Sequence, residues 1–376
     1  MEFGFFSTCF VPEPEMKASP SAEHEWIMKN IDLACEVEKY GIKYVWAPEH
    51  HFLYEYSHAP APEVFLSFVA ARTQKIHVGS AIFNITPPVN SPVRTAERVA
   101  VFDHLSEGRF EFGTGRGSSS TEYMGFGIPN GDVTKEMWDE AIVEIVRMWN
   151  SDVYEHEGRF FSTPPRRVVP KPNGPSHPPL WVACGNPGTF EKAGRMGLGA
   201  LCFTSGNPEK IAPLIETYKK AVAEADPVGD YVNDNVLCVA NFLCMDDHDA
   251  AMRYGANMKM SYHQALAFHW LDSMPKPKGF PVWPEKPNDP SPEQLESLVE
   301  AGIYCVGDPD DCSRVVQKYV DVGADQLVLS PLCNYMDYET ARYSFELFGR
   351  EVVPKFDTDP VHRTTRMRQA AMAPTA

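Results

Sequence analysis

Short apolar runs alternate with amphipathic helical patterns along almost the whole chain. Eight runs have the length and composition of buried strands: residues 3–7, 44–47, 76–83, 109–113, 180–183, 200–203, 236–243 and 326–329. Strands separated by helices form right-handed βαβ units, which place the strands parallel in one sheet. Eight such units in 376 residues predict an α/β fold of the (β/α)8 TIM-barrel type. An open doubly wound sheet is the alternative, because periodicity does not show whether the sheet closes.

Two proline-rich stretches interrupt this alternation. Residues 163–179 and 275–292 hold seven prolines each, and proline lacks the backbone N–H that regular structure needs. We therefore predict Pro-rich loop insertions in the barrel at about 151–179 and 271–292. The second insertion follows the seventh strand and its helix, where a barrel places a mouth loop, so it is either a lid or a surface excursion.

The length and charge of the chain limit its organisation and its partners. We expect a single barrel domain over residues 1–356 and a flexible C-terminal tail over 357–376. The sequence has 51 acidic and 34 basic residues, which gives a formal charge of −17. Such a charge repels nucleic acid and anionic lipid unless a basic stripe offsets it, and Arg166-Arg167 is the nearest approach to one. The sequence therefore predicts that neither nucleic acid nor a membrane is a partner.

The cysteines and the apolar stretches indicate a compartment. Nine cysteines occur singly, with no C-x-x-C spacing, which is typical of free thiols in a reducing compartment. The N-terminus lacks the basic and apolar segments of a signal peptide. No apolar stretch approaches the roughly 18 residues that a membrane span needs. We therefore expect a cytoplasmic protein.

The tetrad Glu49-His50-His51-Phe52 follows directly on the strand 44–47. Barrel enzymes carry their chemistry on residues at strand C-termini and on the loops after them, so the tetrad predicts an active-site edge. The alternative is a polar turn with a partly satisfied histidine pair. Joint metal binding is disfavoured, because adjacent residues on an extended segment point to opposite sides and no H-x-H or H-E-x-x-H pattern is present. We therefore predict no metal.

Two further strand ends have the features of a phosphate site. The glycine-rich run after the fourth strand is not a dinucleotide motif, because Ser118 replaces its third glycine, but it exposes the forked guanidinium of Arg116. The fifth strand leads through Gly185 and Asn186 to a helix start at Thr189, where free N–H groups favour anions. Because these strands are consecutive in the predicted barrel, we expect one phosphate pocket. A glycine-rich turn without a ligand is the plainer alternative.

The order and spacing of several motifs resemble bacterial luciferase-like FMN-dependent monooxygenases, and in particular the luciferase alpha subunit. The resemblance covers residues 1 to about 354. The segments that carry it are Glu49-His50-His51-Phe52, residues 78–82, Pro92-Val93-Arg94, residues 105–113 with Arg116-Gly117, Trp181-Val182-Ala183 and Val306-Gly307-Asp308-Pro309.

The resemblance implies a flavin-dependent monooxygenase with a TIM-barrel fold. Members of this family bind reduced FMN (FMNH2) from a separate NAD(P)H:flavin reductase, add the co-substrate O2 to form a C4a-peroxyflavin, and oxygenate an organic substrate. By position, His50 resembles the catalytic histidine, and a non-proline cis peptide is expected at Ala81-Ile82. The residues that would bind the cofactor are Arg116, Ala81, Ile82, Gly185, Asn186 and Thr189.

Some positions depart from the family pattern. Gly115 stands where luciferase has a reactive cysteine, and Cys184-Gly185 replaces a Glu-Ser pair, so neither light emission nor an aldehyde substrate is assumed. Aromatic residues near the predicted mouth favour a small apolar or cyclic substrate. Hydroxylation, Baeyer–Villiger insertion and C–N or C–S cleavage all stay open. The candidate substrate-binding residues are Glu49, His51, Tyr123 and Phe203.

Two rival functions belong to related proteins. One is an F420-dependent oxidoreductase, which transfers hydride without oxygen chemistry. The other is a non-catalytic luciferase beta-like subunit, which lacks the first histidine of the pair and the phosphate-gripping arginine, whereas this chain has both His50 and Arg116. The resemblance also implies a homodimer or a luciferase-like heterodimer through the helices of residues 62–106.

Overall fold

The computed structural model describes residues 1–174, 176–203, 207–273, 276, 278–281, 284–285, 287–331 and 335–371. Its strands are β1 (Glu2–Phe6), β2 (Tyr44–Ala47), β3 (His77–Ser80), β4 (Phe83–Asn84), β5 (Phe110–Gly115), β6 (Tyr154–Glu157), β7 (Ser162–Arg166), β8 (Leu180–Cys184), β9 (Gly199–Cys202), β10 (Val236–Cys244), β11 (Tyr304–Gly307) and β12 (Gln326–Ser330).

The helices alternate with these strands. They are α1 (Glu13–Ala18), α2 (Ala22–Glu36), α3 (Pro62–Arg72), α4 (Pro92–Leu105), α5 (Ser120–Gly125), α6 (Val133–Asn150), α7 (Pro187–Arg195), α8 (Pro208–Val222), α9 (His248–Gly255), α10 (Met260–Trp270), α11 (Pro292–Glu300), α12 (Pro309–Asp321), α13 (Tyr338–Glu351), α14 (Val353–Phe356) and α15 (Arg363–Ala371), with 3-10 turns at Val37–Tyr40 and Tyr54–Tyr56. None of the helices in these described ranges is long and apolar enough to cross a membrane.

Eight parallel strands close into a barrel in the order β1, β2, β3, β5, β8, β9, β10 and β12. Strand β12 pairs with β1 at Phe3↔Leu327, and β9 pairs with β10 at Leu201↔Leu237, so the ring has no open edge. The predicted (β/α)8 TIM barrel is confirmed, and the open sheet is wrong. The eight barrel strands coincide with the eight apolar runs, because each run is buried on both faces, as parallel strands are.

Alternate residues of each strand face the helices and the barrel interior. Phe3 and Phe5 of β1 pack edge-on against Phe348 and Phe345 of α13. The residues that alternate with Phe3 and Phe5 along β1 point inward, because successive side chains of a strand lie on opposite faces. The interior is filled by a separate apolar cluster of Phe6, Tyr44, Trp46, Ala81, Ile82, Trp181, Leu201, Leu237 and Val328. The barrel is therefore a packed core whose upper layer forms the floor of the mouth.

Parts of the outer structure differ from the sequence prediction. The first proline-rich insertion contains strand β7, which pairs antiparallel with β6, although we expected no regular structure there. A two-stranded ribbon tolerates Pro164 and Pro165 because its outer edges need no N–H donors. Strand β11 was not predicted as a strand, and it pairs with the outer half of β10. Six residues of the second insertion, 274–275, 277, 282–283 and 286, lie outside the described residues.

Residues 357–371, part of the C-terminal tail that we expected to be flexible, pack against the N-terminal end of the barrel. Arg368 forms a buried two-pronged ion pair with Asp103, at 2.7 and 2.9 Å. Thr364 donates a hydrogen bond at 2.5 Å to Glu111, which lies at the lower end of β5. The segment has no apolar pattern that would predict this packing, because charged and polar contacts hold it in place.

Candidate active site

His50 and Glu122 form a pair at the mouth of the barrel. His50 lies just beyond β2, and Glu122 lies on α5, the short helix after β5. Oε1 of Glu122 accepts a hydrogen bond from the backbone N–H of His51 at 2.9 Å and lies 3.1 Å from Nδ1 of His50. In a neutral imidazole, donation to this carboxylate oxygen assigns the proton to Nδ1 and leaves the lone pair on Nε2. Nε2 makes no hydrogen bond to a described residue, so it is free to accept one from a ligand.

Glu49 anchors the other side of the tetrad. Its Oε1 lies 3.0 Å from Nε2 of His51 and accepts a hydrogen bond from Nδ2 of Asn90 at 2.7 Å, while Oε2 accepts from the backbone N–H of Asn84 at 3.0 Å. Burial raises the pKa of the Glu49 carboxyl, although these hydrogen bonds act in the opposite direction. Both oxygens accept hydrogen bonds, so Glu49 positions His51 and the β4 segment, and its predicted substrate contact stays a prediction.

The two histidines therefore face different carboxylates, as the pleat of an extended segment requires. His51 also packs its ring edge-on against Phe126, at a centroid distance of 4.8 Å. Among the residues that the structure describes, no group of three or more histidine, cysteine or acidic side chains could hold a metal ion. The tetrad is a hydrogen-bonded set of acidic and basic side chains. Within it, Nε2 of His50 is the ring nitrogen that makes no hydrogen bond to a described residue.

The predicted phosphate residues come together at the ends of β5 and β8. These strands pair at Thr114↔Val182, so Arg116, just past β5, lies beside the last residues of β8. Helix α7 begins there with a capping box, in which the Asn186 side chain accepts from the backbone N–H of Thr189 and the Thr189 hydroxyl accepts from that of Asn186. The register thus brings the backbone at Arg116 next to the segment that leads into the positive end of the α7 dipole.

Arg116 and Gly185 leave room for an anion. Nη1 of Arg116 donates to the carbonyl of Gly131 and to the Thr134 hydroxyl, at 3.2 and 3.0 Å, and its other nitrogens have no hydrogen-bond partner among the described residues. Burial lowers the pKa of Arg116, and the field of Asp132 raises it. A Cβ added at Gly185 would meet nothing within 4 Å. The donors are therefore fixed in place while the space in front of them is open.

A non-proline cis peptide joins Ala81 and Ile82, as the resemblance implied. This peptide sits between β3 and β4, where the backbone N–H of Ala81 donates to Ala47 and the carbonyl of Ile82 accepts from the N–H of Glu49, at 2.8 and 2.9 Å. A Cβ at Gly115 would lie 2.7 Å from Ile82, so only glycine allows β5 to approach this closely. Ala81 and Ile82 therefore form an apolar floor between the ends of β2 and β5.

The remaining predicted residues lie around this floor. Phe203 contacts Phe6 at a centroid distance of 5.7 Å and extends the apolar cluster of the barrel interior. Tyr123, half-buried on α5, packs its ring against Gly131, whose carbonyl binds Arg116. Their predicted substrate contacts stay predictions, but both side chains line the mouth.

A sequence model of the luciferase-like monooxygenase family matches residues 1–326. The chain belongs to the luciferase-like monooxygenase family. Members of the family include FMN-dependent monooxygenases and F420-dependent oxidoreductases. The fold and the order of motifs seen in this luciferase-like protein are thus shared family features, while the cofactor and the reaction vary from member to member.

Relatives of this luciferase-like protein cover nearly its whole length. The oxygenase component of the flavin-dependent trigonelline monooxygenase of Acinetobacter baylyi is 30% identical over 89% of this chain and 91% of the relative. The F420-dependent glucose-6-phosphate dehydrogenase of Kineococcus radiotolerans is 27% identical over 82% and 88%. The oxygenating constituent of 3,6-diketocamphane monooxygenase of Pseudomonas putida, solved with FMN, has a TM-score of 0.75 at 20% identity and covers 96% and 99%.

Glu122 and His263, which lie near His50, were not identified from the sequence of this luciferase-like protein, and Tyr56 was noted only as one of the aromatic residues near the predicted mouth. Glu122 lies in a serine-rich segment whose helix is only six residues long, so no periodicity marks it. Tyr56 contacts the His50 ring edge-on at 5.5 Å, and His263 stacks on Tyr56 at 5.4 Å. The only signal for them was their position after barrel strands, which is common to many residues that do nothing.

Proposed function

We propose that this protein is a monooxygenase that uses reduced FMN and O2 to oxygenate a small apolar or cyclic substrate. The observation that carries the proposal is the continuous path from Arg116 and the start of α7, across the Ala81-Ile82 floor, to the unshared nitrogen of His50. Arg116 would bind the phosphate of a flavin, the apolar floor would contact its ring, and His50 would lie at its reactive edge.

The residues present fit FMN. The free nitrogens of Arg116 can form charge-assisted hydrogen bonds to one phosphate, and the first turn of α7 adds its dipole. Asp132 is the charged neighbour whose field acts on Arg116. The proposed phosphate site therefore depends on a single guanidinium. Ala81, Ile82 and Phe203 would contact the ring system. Gly185, Asn186 and Thr189 would shape the phosphate end.

The bound flavin would supply the activation of oxygen, and the chain would supply position and proton control. His50, with its proton held at Nδ1 by Glu122, would accept a hydrogen bond or a proton at Nε2. The apolar floor and the buried Glu49 network would keep water away from the reacting edge. The trigonelline monooxygenase relative, named as an oxygenase component, supports a separate reductase as the source of reduced flavin.

F420-dependent hydride transfer is the second candidate, because the Kineococcus radiotolerans relative at 27% identity has that activity. The two candidates differ in their need for oxygen. We expect the protein to bind photoreduced FMN anaerobically and to consume O2 with a panel of hydrophobic ketones and heterocycles. The matched variant is Arg116→Ala, which should bind reduced FMN more weakly and consume less O2 at the same FMN concentration. Reduction of F420 by an alcohol or a sugar phosphate, without FMN binding, would refute the monooxygenase proposal.

Dimerisation is part of the proposal. Four large apolar side chains are exposed on the adjacent helices α3 and α4, which lie within residues 62–106: Val64, Phe68, Val101 and Leu105. Within each helix the two side chains are four residues apart and so lie on one face, and apolar side chains that form a contiguous exposed surface mark an interaction site. We propose that a second copy of this chain or a luciferase-like partner subunit covers it.

A further inference from the structure

His263 is a buried imidazole that the proposed chemistry does not use. It lies on α10, 8% exposed, and neither of its ring nitrogens hydrogen bonds to a described residue. Its ring stacks on Tyr56 and meets the edge of Phe10, both at centroid distances of 5.4 Å. A phenylalanine would fill the same slot without leaving polar atoms unsatisfied, so packing alone does not account for a histidine.

The position of His263 connects it to the active site. Tyr56, on which it stacks, also contacts the ring of His50, so a single ring separates the two imidazoles. Helix α10 joins Phe10, Leu53 and Tyr56 in one apolar cluster over the mouth. Trp270 packs against the same cluster, and its indole N–H is likewise buried without a partner. Two unsatisfied polar groups on one helix thus face the aromatic wall of the mouth.

The state of His263 limits what it can bind. Burial lowers its pKa to about 4, so the imidazole is neutral near pH 7 and carries one donor and one acceptor. A neutral ring has no net charge with which to attract a carboxylate and offers it only the single N–H donor. A hydroxyl group can pair with either nitrogen, because it both donates and accepts. The aromatic surroundings of Phe10, Tyr56 and Trp270 favour a ring that carries this hydroxyl.

We propose that His263 contacts the substrate and determines specificity by hydrogen bonding the hydroxyl group of a phenolic or cyclic compound held in the mouth beside Tyr56. This inference rests on the proposed function, since it takes the mouth as the substrate side. It names a substrate class that the phosphate end and the His50–Glu122 pair do not define.

The experiment measures binding to the cofactor-free protein with phenol and benzene as matched probes. By calorimetry, we expect phenol to bind at least fivefold more tightly than benzene. His263→Phe should abolish this preference while benzene still binds, and His263→Gln, which keeps a donor and an acceptor, should restore part of it. Equal phenol preference in His263→Phe, or no phenol binding to the wild-type protein at millimolar concentration, would overturn the inference.

A second measurement needs no variant to fold. In the wild-type protein labelled with ¹⁵N-histidine, phenol should shift one buried imidazole resonance and benzene should not. An unchanged spectrum with bound phenol would count against His263 as the contact. FMN affinity of the wild-type protein is measured separately. Normal FMN binding with a failed phenol test rejects this inference alone, whereas absent FMN binding rejects the proposed function.

Discussion

Glu122 and His50 share a short contact in which Oε1 of the carboxylate lies 3.1 Å from Nδ1 of the imidazole. The same oxygen also accepts the backbone N–H of His51, so the helix α5 and the end of β2 are tied together at one atom. Glu122 is therefore a positioning residue: it fixes the tautomer of His50 and acts on the reaction only through that ring.

We expect His50→Ala to lower the oxygenation rate by about 100-fold or more, and Glu122→Gln by about 10-fold, because Gln keeps the hydrogen bond to the backbone and loses the charge. The measurement is single-turnover oxygenation by the FMNH2-loaded protein. FMN affinity should be unchanged in Glu122→Gln. Wild-type rates in both variants would show that His50 takes no part in the chemistry.

Arg116→Ala should weaken FMN binding by about 1.5–3 kcal/mol, since it removes a charge-assisted hydrogen bond to the phosphate. Equilibrium titration of FMN fluorescence measures the change. The control is Arg94→Ala, an exposed arginine on α4, which should bind FMN normally. Gly185→Ala should leave the free energy of unfolding within about 0.5 kcal/mol, because the added Cβ meets open space, yet it should reduce FMN affinity.

Replacement of Arg368 by alanine should lower the free energy of unfolding by about 3–5 kcal/mol, because Asp103 would be left as an unpaired buried charge. Urea denaturation followed by circular dichroism measures the loss. Arg366→Ala is the matched control: its partner Asp359 lies on the surface, and we expect a change of at most about 1 kcal/mol. Equal stability of the two variants would mean that α15 contributes little to the barrel.

His263 gives the protein a pH-dependent stability. The unfolded chain binds a proton at this imidazole below about pH 6.5, whereas the folded protein, with a pKa of about 4, does not. Its stabilising contribution is therefore complete above about pH 6.5 and is lost as the pH falls toward 4. When the pH falls from 7 to 5, the free energy of unfolding should decrease by about 2 kcal/mol less in His263→Phe than in the wild-type protein. Parallel urea curves at the two pH values test this difference.

The apolar patch on α3 and α4 predicts an oligomer in solution. The double variant Phe68→Glu with Leu105→Glu places charges on side chains that are 50% and 64% exposed, so it should disrupt an interface without disturbing the core. Analytical ultracentrifugation should show a dimer for the wild-type protein and a monomer for the variant. Val169→Glu, on the proline-rich insertion and 61% exposed, should leave the assembly unchanged.

The sequence by itself predicted the eight barrel strands and placed His50 and Arg116 just after the C-terminal ends of two of them. Local signals sufficed there, because buried parallel strands read as apolar runs and active-site residues follow their C-terminal ends. The capping of α7 by Asn186 and Thr189 was equally local, since a helix start depends on neighbouring side chains.

Only the tertiary structure decided which distant side chains meet. Glu122 reaches His50 across 72 positions of the chain, and Arg368 reaches Asp103 across 265. Such pairs produce no repeating pattern in the sequence. The two side chains meet because the closed barrel brings their segments together, and neither segment alone indicates the contact. For the same reason, neither the contacts of the polar C-terminal segment nor the packing of His263 against Tyr56 and Phe10 was predicted from the sequence.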